Sequence, residues 1–348
     1  MSTIASEKQR CLRQRLWRLP VSWILLSLLL SVPTLQGQFA YIITNGTVTI
    51  TRYTGPGGAV VIPSMTNGLP VTSIGVVAFL HCTTVTSVTI ADSVTSIGMS
   101  AFGSCSSLTN VIIGNGVTTI ADAAFNSCGS LRSVIIPSTV TSMGAFVFDS
   151  CTSLANVTIA GGVPSIGEYS FNLCSNLTNA TFGNGLASIG DFAFYGCGNL
   201  ISLTFPSKVL FIGDGAFYGC YRMKAIYCEG DAPNLGGANA FYLVPATIYY
   251  LPGTAGWTST FGGRPTALWL LPNPVILTGA PSFGIRSNHF GFTISWATNV
   301  PVVVEASTDL GDSRWLSITT NTLPGGWSYF SDADWSNYPT RYYRLSSP

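Results

Sequence analysis

The chain has 348 residues, more than one ordinary domain holds. Only 8% are charged, against about a quarter in typical proteins, while 47% are hydrophobic, and that balance excludes a disordered chain. The net charge of +1 hides five cations in the first eighteen residues (Lys8, Arg10, Arg13, Arg15, Arg18); the remainder carries ten positive against thirteen negative charges, without the basic face a nucleic-acid partner requires.

After the basic stretch, residues 21–32 are apolar except for Ser22, Ser27 and Ser31. A helix needs about 20 residues to cross ~30 Å of hydrocarbon, so this run is short for a span and fits the apolar part of a secretory signal. Residues 1–37 therefore read as a signal peptide cleaved after Gly37, although Leu35 at the −3 position is not small. The alternative is an uncleaved anchor. On either reading the bulk of the chain leaves the cytoplasm, to be secreted or held at the cell surface, with no membrane contact once the signal is removed.

Residues 38–70 form a lead-in cap, and from Val71 a 23-residue repeat takes over. Val71–Ser93 reads VTSIGVVAFLHCTTVTSVTIADS and Val94–Gly116 reads VTSIGMSAFGSCSSLTNVIIGNG. Further coils begin at Val117, Val140, Val163, Leu186 and Val209, seven in all. Cys82, Cys105, Cys128, Cys151, Cys174, Cys197 and Cys220 keep the register, each preceded at three residues by a Phe. Each coil carries a short extended piece, a tight turn expected to be helical, and a longer period-two strand such as residues 108–113. No coil can bury its apolar residues alone, and stacking them predicts a mainly β solenoid over residues 71–231. Residues 232–274 read as an irregular cap and linker. The tail, 275–348, holds four of the eight Trp and five strand-like runs, predicting a small β-sandwich-like module.

The series V-x-x-I-G-x-x-A-F-x-x-C-x-x-L-x-x-V-x-I resembles the BspA-like leucine-rich repeats of bacterial surface proteins, from Val71 to about Asp231. Residues 46–63 resemble the coil that precedes such arrays. The resemblance implies an extracellular, non-enzymatic array that presents a parallel sheet for binding, in some members to host or matrix proteins. No cofactor is implied. The tail resembles, more weakly, a β module found at the C-terminal end of secreted bacterial proteins.

Chemistry-bearing residues are few. The registered thiols follow the inward Phe, where Cys acts as a small buried hydrophobe; a Cys220–Cys228 bridge is the alternative that export would permit. His81 and His289 fall at positions read as solvated, and neither accompanies a zinc or hydrolase motif. Asp122, Glu168, Asp191 and Asp214 recur at one coil position; each is expected to cap the backbone N–H groups of its own turn in preference to forming a calcium ladder. No acid/base pair for hydrolysis can be picked out.

The outward positions of the longer strand are the candidate binding residues. They include Thr86, Thr89, Thr109 and Asn110, then Arg132, Asn156 and Thr158. Thr178, Asn179 and Thr181 follow, and Thr204, Lys224 and Tyr227 complete the set. This hydroxyl- and amide-rich face predicts a binding or adhesion protein for a protein or matrix ligand. The alternative is a glycan stacked on Trp327 or Trp335 of the tail, against which stands the expectation that these rings fill the sandwich core.

Overall fold

The computed structural model describes residues 35–269, 274–278, 283–296, 299–311 and 314–346. The basic stretch and the apolar run of the N-terminus lie outside the described residues. Two parallel ladders run along the repeats. The longer strands, among them Val85–Ile90, Ser133–Ile136, Asn156–Ile159 and Asn179–Phe182, pair coil to coil at the same repeat position, as in Asn156↔Asn179 and Ile159↔Phe182. The short strands, such as Ser96–Ile97 and Thr119–Ile120, do the same on the other side.

The stack extends past the seven coils at both ends. Ahead of them, Thr47–Tyr53 pairs parallel with Leu69–Ile74 and Gly58–Ile62 with Val85–Ile90, so the lead-in is a turn of the same solenoid. Behind them, Asn234–Leu235 pairs with Phe211–Ile212 and Thr247–Tyr250 with Ala225–Cys228. Part of the segment read as an irregular cap is thus a ninth turn. An extra residue places Phe241 24 positions after Phe217, and Val244 takes the place of Cys, which hid the repeat.

Phe79, Phe102, Phe125, Phe148, Phe171, Phe194 and Phe217 are fully buried and form one column with Phe241. Their rings stack at 4.7 Å to 5.6 Å, and Tyr53 of the lead-in turn closes the column on Phe79 at 4.9 Å. From Cys105 to Cys220 each registered thiol donates to the carbonyl of the preceding coil's Phe, for example Cys128 Sγ to Phe102 O at 3.1 Å.

The segment expected to be helical is not. Among the described residues the only helices are single 3₁₀ turns at Leu35–Gln38 and Trp335–Asn337. Each coil instead holds two left-handed residues four apart: Val77 (φ 53°) and His81 (φ 59°), Phe146 (58°) and Ser150 (58°), Gly215 (60°) and Gly219 (76°). These corners turn alternate N–H groups along the stack axis. Val77, Phe79 and His81 donate to Met99, Ala101 and Gly103 of the next coil at 2.6 Å to 2.9 Å. A helix would spend those donors within the coil; here they make a third ladder between coils.

The tail forms two small sheets. Val275–Leu277, Phe283–Arg286, His289–Ser295 and Trp327–Asp332 make one, and Pro301–Ser307, Leu316–Thr322 and Tyr342–Ser346 the other. Between them lies a separate core of Phe292, Ile294, Val302, Val304, Leu323 and Phe330. Trp327 and Trp335 are not in it, contrary to expectation, while Trp296 packs against its edge. Trp327 is 45% exposed and lies against Gly253 of the stack, and Trp335 is half-buried with its ring N–H donated to Asn288 O at 3.0 Å. Phe292 and Phe330 with Ile294, Val302, Val304 and Leu323 fill the inward positions.

Truncating a central ring should open a cavity that both neighbours line. Phe125→Ala is expected to destabilise the protein by about 3–5 kcal/mol in urea denaturation.

Candidate functional site

The longer strands place their inward residues, Val88, Val111, Val134 and Val157, in the core and turn the alternate positions to solvent. Exposed among the candidates are Thr86, Asn110, Arg132, Asn156, Thr158, Thr178, Asn179, Thr181, Thr204 and Lys224; Thr89, Thr109 and Tyr227 are half-buried. Register brings them into columns. Asn110, Ser133, Asn156 and Asn179 are successive partners along one row.

Not every polar group in these columns is available. The Thr109 hydroxyl donates to Thr86 O at 2.9 Å and the Thr178 hydroxyl to Ala155 O at 3.1 Å. These side chains reinforce the ladder, whereas the amides of Asn110 and Asn156 have no side-chain hydrogen bond among the described residues. The ring of Tyr227 is packed between Tyr249 at 5.3 Å and Trp269 at 4.9 Å, so it closes the end of the face. The face also carries an apolar strip: Val61, Ile112 and Ile135 are 54%, 54% and 66% exposed at outward positions.

The long-strand ladder is interrupted where Asn179–Phe182 meets Ser202–Phe205; the two strands belong to different sheets. Three residues mark the break. Coils one to four end the strand on Ile90, Ile113, Ile136 and Ile159, but the next two end on Phe182 and Phe205. Each ring wedges against the Phe column, Phe182 on Phe194 at 5.9 Å and Phe205 on Phe217 at 5.6 Å, and overpacking of this kind forces the backbone to shift. Pro206, like Pro137 at the same coil position, lacks the N–H that Ala160, Gly183 and Glu229 donate to the preceding coil, and only here does it follow a Phe. A cavity of about 290 Å³ lies at the break, lined by Asn179, Thr181, Asn184, Ser202, Thr204 and Glu229 among others. Partial burial pushes the Glu229 carboxyl above its ordinary pKa. Sequence reasoning missed this acid; the paired phenylalanines and the proline were the signal.

Three of the four recurring acids do cap backbone N–H groups, but those of the next coil; Glu168 makes no such bond among the described residues. Asp122 accepts from Ala145 N at 2.9 Å, Asp191 from Asp214 N at 2.8 Å, and Asp214 from Asn239 N at 3.0 Å. They staple the stack along its axis. No group of three or more His, Cys, Asp or Glu able to hold a metal ion occurs among the described residues. His81 is exposed at a left-handed position, and His289 opens a strand after the turn at Ser287 and Asn288.

All eight described cysteines, Cys220 and Cys228 included, are free thiols. Burial pushes Cys220 up to about 12, and the half-buried Cys82 up to about 11. Because only the thiolate reacts, raised values predict slow alkylation of the folded protein by iodoacetamide at pH 8. Peptide mass spectrometry is expected to find Cys82 modified first and Cys105 to Cys228 only after denaturation.

Comparison with known proteins gives a consistent picture. The profile of the BspA type leucine rich repeat region matches in six copies over residues 72–174 and 147–252. The solved leucine rich repeat protein of T. pallidum is 37% identical, with 54% of this chain and 88% of that one covered and a TM-score of 0.52. A leucine rich cell surface protein of Faecalibacterium prausnitzii A2-165 is 28% identical, with 63% and 72% covered and a TM-score of 0.52. None of the curated proteins compared matches the chain. No helix among the described residues is long and apolar enough to cross a membrane.

Proposed function

Since the chain belongs to the BspA-type leucine-rich repeat family, we propose that it is a secreted or cell-surface adhesion protein that binds a protein or matrix ligand on its long-strand face. The domain division proposed with it is a signal peptide over 1–37, the solenoid, and a β module over 275–348. The observation that carries the reading is the face itself: free amides at Asn110 and Asn156 beside exposed Ile112 and Ile135, on a rigid sheet with few charges. Such a surface supplies hydrogen bonds and shallow apolar contact without steered charge, and repetition along the stack adds multivalency. The described chemistry, buried thiols with raised pKa and acids committed to backbone N–H groups, supports a non-catalytic role.

A second reading keeps a glycan on the tail, favoured by the exposure of Trp327. Against it, Trp335 spends its N–H on Asn288 and the Trp315 ring carries the Arg344 guanidinium at 4.5 Å, which leaves no continuous aromatic platform.

The test is a solid-phase binding assay of the chain on collagen, laminin and fibronectin surfaces. Asn110→Arg with Asn156→Arg, both solvent-facing, is expected to weaken retention by about tenfold, the scale of a central interface substitution, with the melting temperature unchanged. Loss of retention in Trp327→Ala alone would move the site to the tail.

A further inference from the structure

The break in the long-strand ladder opens onto a second cavity. About 270 Å³ of space lies where the stack meets the C-terminal module, lined by Ser207, Leu251, Trp269, Val275, Ile276 and Leu277. Glu229 lines this cavity and the one at the break, and is the sole charged residue lining either. It follows the strand Ala225–Cys228, and its backbone N–H donates to Phe205 O at 3.0 Å. Its carboxylate has no hydrogen-bond or ion-pair partner among the described residues.

Glu229 is exposed at the edge of both cavities, with partial burial raising its pKa, so its carboxylate is open to a charged group from outside. Several other acids are settled within the chain: Asp122, Asp191 and Asp214 accept backbone N–H groups and Glu305 pairs with Arg344 at 2.7 Å, whereas Glu229, like Glu168, has no such partner among the described residues. Glu229 is left for a cation from outside. On one side of it the groove is polar, with Asn179 and Ser202; on the other it is apolar, with Trp269 and Ile276. A lysine or arginine side chain suits that junction, because its charged end can meet the carboxylate while its methylenes lie on apolar surface.

We propose that this groove is the anchoring site of the strand face, taking a Lys or Arg side chain of a protein partner against Glu229 and a neighbouring apolar side chain in the cavity at Trp269 and Ile276. The inference rests on the protein-binding reading above and gives that reading a partner chemistry: a basic residue adjacent to an aliphatic or aromatic one. Central pockets that receive Arg are typical energetic anchors of interfaces, with the surrounding face supplying complementarity.

The test is selection of a displayed random peptide library of about nine residues on the full chain, followed by titration of the enriched peptides. Enriched sequences are expected to carry Lys or Arg next to Leu, Ile, Val or Phe. Glu229→Gln should weaken them by at least about tenfold, the scale of losing one partner of a charge pair, and should leave the melting temperature unchanged, since no protein group depends on the carboxylate. No enrichment, enrichment without basic residues, or equal affinity for Glu229→Gln would overturn the proposal. Peptides weakened by Asn110→Arg with Asn156→Arg but not by Glu229→Gln would overturn the anchoring site alone and keep the strand face. Peptides indifferent to both variants would overturn both.

Discussion

Every part of this fold answers to one requirement: a backbone group leaving one coil must find its partner 22 to 24 residues away in the adjacent coil. Long strands, short strands and turns each satisfy it with their own ladder, at N–H to O distances near 2.8 Å along the turns. Burying these groups unpaired would cost about 1–3 kcal/mol each, so an inserted residue can be absorbed only where a ladder has slack. The array tolerates one such insertion, ahead of Phe241 at its C-terminal end. Between the ladders each of the seven coils buries one Phe ring with a Cys three residues on, while the position before the ring varies from Ala to Val147 and Ser170.

The left-handed corners show what that requirement costs. Phe146, Tyr169 and Phe192 adopt φ values of 54° to 58°, a conformation that strains any residue with a side chain. Gly215 holds the same position in the seventh coil without strain. The aromatic residues recover part of the cost by stacking on one another at 4.9 Å. Local preference thus gives way to axial pairing, and the strain is offset from outside the coil.

The spacing of Phe and Cys was legible in the sequence because core positions cannot vary, and the outward positions of Asn110, Asn156 and Asn179 followed from strand alternation. The corners were not legible, since Val77, Tyr169 and Leu173 give no local hint of a left-handed backbone; only Gly196, Gly215 and Gly219 betray it. The acids were read as caps but assigned to the wrong coil, because the partner of Asp122 is set by stacking and not by neighbourhood in the chain. Glu229 escaped notice for a similar reason. Its place between two cavities is set by how the strands stack around the break, which a pattern of residue types does not express.

Two prolines interrupt the solenoid on opposite sides and one coil apart. Pro164 withholds the N–H that Thr141 and Ala187 give on the short-strand side, and Pro206 does so on the long-strand side. The turns stay bonded across both places, Phe146 N to Glu168 O at 2.8 Å and Tyr169 N to Asp191 O at 3.0 Å. Mechanically this makes a rod with a spine and two staggered cuts, whose bending stiffness is lowest at the fifth coil. Under a pulling load the two halves flex about that spine before either one unravels.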